Sequence, residues 1–244
     1  MHAAEMASFK RDQNPASRLG FWAAIVTTVL AIGTFSLAVS AIPISGPWCQ
    51  GDCVSYPYAD VAANVPHDYL WMVPAILMEL VFVVLIVCVH QSAAIRHKLY
   101  SQIAVAFTVM SAAILAADYY IQFAVMQPSI MREEWEGFAL LTQYNPHGVF
   151  IALEEIGYLL MSLGFFFAAP VFAGRNWNQR LLRWLFAAAG IMTVGGWIAY
   201  YAAYGMGMEY RFEIYAISVN WLALAIGGGL LSQWFLRSAT SVQS

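Results

Sequence analysis

Residues 68–90 read DYLWMVPAILMELVFVVLIVCVH. A membrane helix needs about 20 mostly apolar residues, and this stretch supplies them with one acid, Glu79, near its middle. It sets two expectations that recur through the chain: a helix that crosses a bilayer, and a carboxyl group placed where water is scarce.

Five further segments have the same character. With the first, they predict spans over 19–42, 68–90, 101–126, 148–172, 183–204 and 212–236. The bulk composition agrees, since the 244 residues are 61% hydrophobic and 10% charged. A soluble domain carries roughly 25% charge, and one of this size has too little interior to hide so much apolar surface. The expected fold is therefore an all-α, six-helix transmembrane bundle, read as a single domain over 1–244 with the lipid bilayer as its first partner. The net charge is −3 and there is no basic run, which excludes a nucleic-acid partner. The polar start MHAAEMASFKRDQNPASR is too long for a signal-peptide n-region, so the first apolar segment is expected to be retained.

Lys and Arg concentrate on the cytoplasmic side of membrane proteins. Here Lys10, Arg11 and Arg18 precede the first span. Arg96 and Lys98 lie between the second and third, Arg175, Arg180 and Arg183 around the fourth loop, and Arg237 after the last. The first loop has no Lys or Arg, and the third and fifth have one each, Arg132 and Arg211. The alternation predicts both termini in the cytoplasm of a plasma (bacterial inner) membrane. It puts the loop WCQGDC outside, where Cys49 and Cys53 can pair in an oxidising compartment. In the third loop, MREEWEGFALL has two readings, a short helix lying in the membrane interface or an ordinary polar loop.

Ionisable residues within membrane spans are costly and usually face a bundle interior or a watery cavity. At about 100° per residue, Asp68, Glu79 and His90 share a face of the second span with Met72, Ala75, Val83 and Ile86. Pro74 is expected to loosen the outer half of that helix by freeing a carbonyl. In the third span Thr108, Ser111, Asp118 and Gln122 form a polar stripe. In the fourth, His147, Glu154, Tyr158 and Ser162 share a face, with Glu155 at its edge. In the sixth, Glu213, Asn220, Gly227 and Leu231 do so, Glu213 lying near the outer surface beside Glu209 and Arg211. If the third and fourth spans are antiparallel neighbours, Asp118 and Glu154 meet at one level, with Gln122 and His147 as a rim above. Gly190, Gly195, Gly196 and Gly227–Gly229 permit close helix contact. Trp197, Tyr200, Tyr201 and Tyr204 read as an interfacial belt or as the wall of a ligand pocket.

No Lys lies in the cores of the spans, so the buried acids have no evident basic partner. They can hydrogen-bond in neutral form, hold a proton or ion, or hold a cationic or hydrogen-bonding ligand. The leading expectation is that the protein binds or transports a small molecule or ion in an outward-facing cavity. The residues expected to line it are Glu79, Asp118, Gln122, His147, Glu154 and Tyr158. A second is a membrane enzyme using the same carboxyls as acid and base on a lipid-soluble substrate; a third is an accessory subunit in which they only join helices. Asp118, His147 and Glu154 are a weaker metal-binding alternative, with donor types that suit zinc but no HExxH spacing. There is no G-x-S-x-G, P-loop or dinucleotide fingerprint, and no cofactor is implied.

Overall fold

The computed structural model describes residues 15–40, 44–174 and 176–240. Lys10, Arg11, Ile42 and Arg175, used above for orientation and for the end of the first span, lie outside them. Among the described residues the chain is helical with no strand. In a bilayer this follows from chemistry, because a helix satisfies its backbone groups within one segment.

Six helices are long and apolar enough to cross a membrane: α1 (Pro15–Ser40), α2 (Met72–Gln91), α3 (Lys98–Ile121), α4 (Val149–Ala168), α5 (Trp177–Tyr204) and α6 (Tyr210–Thr240). The predicted spans match these within a few residues, except that α5 begins six residues before the predicted Arg183. The protein is thus a multi-pass integral membrane protein. The rod of α3 continues through a π turn at Gln122–Met126 into Gln127–Met131.

The helices close into a ring in chain order, with α1 packed on α6. Contact between α4 and α6 leaves α5 outside the enclosed space, and α5 accordingly has one of the least buried spans. At one end of the bundle, called here the basic end, lie Arg18, Arg96, Lys98, Arg180, Arg183 and Arg237. At the other, the loop-cap end, lie the 44–71 and 132–148 segments.

α1 and α6 pack closely at Gly228. There a Cβ on Gly228 would come within 2.3 Å of the Thr28 hydroxyl and 2.8 Å of the Ala24 carbonyl, so only glycine permits this approach. Of the other glycines noted in the sequence, Gly190, Gly196 and Gly227 also lie hard against neighbours, whereas Gly195 and Gly229 face open space.

Two local expectations are corrected. Pro74 sits in the first turn of α2, where no backbone donor is missed, so it leaves the helix unbroken. In the third loop only Phe138–Leu141 is helical. Phe138 is buried while Arg132, Glu133, Glu134 and Glu136 are exposed, so this short turn is anchored into the bundle.

Candidate functional site

The loop-cap end is knotted together by hydrogen bonds. The Ser45 hydroxyl donates to the Tyr144 carbonyl and lies 2.8 Å from the Tyr210 hydroxyl. Tyr210 donates to the Gln143 carbonyl at 2.8 Å. Tyr144 donates to Asp68 Oδ2 at 3.0 Å, and His67 Nδ1 lies 3.0 Å from Oδ1. Burial, then the neighbouring Tyr69 and Asp68, push the Tyr144 phenol above its ordinary pKa, so it remains a donor. Gly46 has φ +67°, and a Cβ there would strike the Tyr210 ring at 2.7 Å. Beside it, Cys49 and Cys53 are joined by a disulfide.

Beneath this cap lies a cavity of about 310 Å³, near the lower end of the range of ligand pockets. Its walls come from α1, the Ile44–Ser45 and Gln143–Tyr144 segments, the residues leading into α2, and the first turns of α4 and α6. Its buried carboxyls are Glu154 from α4 and Glu213 from α6. The two carboxyls lie close enough to interact, and two acids held together out of water are least costly when one keeps its proton. Glu154 Oε1 also accepts from the Tyr119 hydroxyl at 2.8 Å. Oε2 of Glu154 and Oε2 of Glu213 have no other donor.

The Tyr119 hydroxyl lies 2.6 Å from that of Tyr158, which accepts from Trp221 Nε1 at 3.1 Å. Trp221 and Trp71 both line the cavity, their rings 6.0 Å apart edge to face. The site thus presents a carboxyl pair and two indoles, and among the described residues no Lys or Arg lines it.

Of the six residues expected from sequence, Glu154 alone lines this cavity. Tyr158 stands two hydrogen bonds behind Glu154, through Tyr119. Asp118 is buried and within electrostatic reach of Glu154, as expected for adjacent α3 and α4, but its Oδ2 has no donor and it does not reach the cavity. Gln122 is also buried, its amide donating to the Leu141 carbonyl at 2.8 Å. The expected Gln122–His147 rim is not formed, because His147 is exposed. It precedes the Gly148 cap of α4, off the helical register that placed it beside Glu154.

The Asp118–His147–Glu154 metal alternative is lost with it, and no group of three metal-ligating side chains occurs among the described residues. Glu79 is fully buried with both oxygens unpartnered, in electrostatic reach of Tyr119 and Tyr158 but away from the cavity wall. Trp197, Tyr201 and Tyr204 are exposed, and neither they nor Tyr200 lines the cavity.

Sequence reasoning left Glu213, Asp68 and the two indoles out of the site. Glu213 carried a usable signal, the seven-residue step to Asn220 on one helical face. Trp221 carried another, standing about three turns inside α6, deeper than a belt residue. No protein-family model, curated protein or solved structure matches this chain.

Proposed function

We propose that this membrane protein binds, and in carrying it transports, a small molecule bearing a positively charged or hydrogen-bond-donating group, held by Glu154 and Glu213. One observation carries this reading. Two buried carboxyls share a cavity wall with no Lys or Arg among its described residues, and each keeps an oxygen without a hydrogen-bond partner. A ligand cation can replace the shared proton and satisfy both oxygens, and the faces of Trp71 and Trp221 add cation–π attraction. By the distribution of Lys and Arg, the loop-cap end with its disulfide faces the extracytoplasmic side.

The test is binding to the full chain in lipid nanodiscs, read by the fluorescence of the wall tryptophans against a panel of primary and quaternary ammonium compounds. Saturable binding weakened tenfold or more by Glu154→Gln and Glu213→Gln is expected. Absence of saturable binding across the panel, or binding indifferent to both substitutions, contradicts the reading. Cysteines placed singly in the loop-cap loops are expected to react with impermeant maleimide from outside the cell, and failure to do so reverses the orientation.

The Tyr119–Glu154 hydrogen bond favours a second reading, acid–base catalysis on a lipid-soluble substrate, because a phenol and a carboxyl in line can pass a proton. Product formation abolished by Glu154→Gln separates it from binding alone.

A further inference from the structure

The cavity keeps its carboxyls inside, whereas the exposed part of its lining is mostly apolar and lies on the sides of two helices. Among its lining residues the exposed ones are Phe35 (45%), Val39 (63%), Ile214 (36%) and Ser218. The first two belong to the last turns of α1 and the other two to the first turns of α6. Along the bundle axis the cavity is covered by the loop cap, where Ser45, Gln143 and Tyr144 are tied to Tyr210 and Asp68. Towards the basic end it is closed by the contact at Gly228. Every exposed residue of the lining thus belongs to α1 or α6, two helices long and apolar enough to cross a bilayer. Phe35 stands at the cavity's mouth with its ring 6.0 Å from that of Trp221 inside.

We infer that the ligand is a lipophilic amine or ammonium compound that reaches the Glu154–Glu213 pair sideways from the bilayer, through the cleft between α1 and α6. The inference rests on the binding function proposed above and names its substrate class. Charge complementarity sets the head group, since carboxyls and indole faces line the interior and no cation does. The apolar mouth sets the rest. A small hydrated cation would shed its water to pass Phe35, Val39 and Ile214, whereas an alkyl chain lies along those residues and in the lipid beyond. A membrane-dissolved amine is also concentrated in the bilayer, by about fourfold per methylene.

The decisive comparison uses three probes on the full chain in phosphatidylcholine nanodiscs, followed by tryptophan fluorescence: dodecyltrimethylammonium, tetramethylammonium and dodecanol. Dodecyltrimethylammonium is expected to saturate at a concentration at least 100-fold below that of tetramethylammonium, and dodecanol to give no saturable signal. Glu213→Gln should weaken the long-chain cation tenfold or more, and Ser218→Trp, which fills the mouth, should do the same. If Ser218→Trp does not fold, the three-probe series decides alone. Equal affinity for tetramethylammonium and its dodecyl analogue overturns the lateral route while leaving a cation site intact. Dodecanol binding as tightly as dodecyltrimethylammonium, unchanged by Glu213→Gln, overturns both the route and the binding function beneath it.

Discussion

Glu79 and Glu154 are both buried glutamates on helices of one bundle, and their surroundings differ in every respect that matters for chemistry. Glu154 receives a hydrogen bond from Tyr119, meets a second carboxyl and borders an open volume. Glu79 has no hydrogen-bond partner on either oxygen and does not line that cavity. A carboxyl buried in a packed interior costs stability, while one at a cavity wall can exchange its proton for a ligand. Burial of an acid therefore marks a membrane helix for inspection, but the neighbouring void decides whether the acid is a site. Ser162 gives a third pattern: its hydroxyl donates to Asn220 Oδ1 at 2.9 Å and lies 2.7 Å from the Thr193 hydroxyl, which can donate to it, a network joining α4, α5 and α6, of the kind worth about 1 kcal/mol per contact.

The contrast can be broken in order of expected effect. Trp221→Ala should be the most damaging change, removing a fully buried ring from between Tyr158 and the cavity. In soluble cores such truncations cost about 3–5 kcal/mol, so thermal unfolding in detergent should drop by more than for any single carboxyl change, with ligand binding lost. Trp197→Ala, on the exposed face of α5, should change neither. Next, Glu213→Gln should weaken ligand binding tenfold or more while leaving the unfolding temperature unchanged or raised. The new amide can donate permanently to Glu154, where the acid pair depended on a shared proton. An unfolding temperature that falls as far as for Trp221→Ala would make the pair a structural joint rather than a site.

The smallest effect belongs to Glu79→Met, which removes two unsatisfied buried oxygens at similar volume. Leaving such a group unpaired costs about 1–3 kcal/mol, so the variant should be as stable as the parent or more so, with binding unaffected. Loss of binding on this substitution would place Glu79 in the functional machinery and dissolve the contrast.

The bundle was legible from sequence because span length and apolarity are properties of contiguous residues, and the stripe Thr108–Ser111–Asp118–Gln122 is buried as its helical period requires. The site was only partly legible because a cavity belongs to several segments at once. Periodicity places Glu154 on the inner face of α4, but cannot show that the first turns of α6 lie opposite it. Glu213 stands in sequence beside Glu209 and Arg211, near the expected outer surface, yet α6 turns it inward within its first turn. His147 failed for the opposite reason, since helical spacing was extended one residue past the Gly148 cap into a loop.

The most direct test of the central claim, that Glu154 and Glu213 share a proton which a ligand cation displaces, is an infrared difference spectrum on adding dodecyltrimethylammonium to the protein in nanodiscs. The account predicts loss of a protonated-carboxyl carbonyl band and gain of carboxylate, abolished by Glu213→Gln and retained in Glu79→Gln. A spectrum without carboxyl change, or one that vanishes in Glu79→Gln and survives in Glu213→Gln, would contradict it.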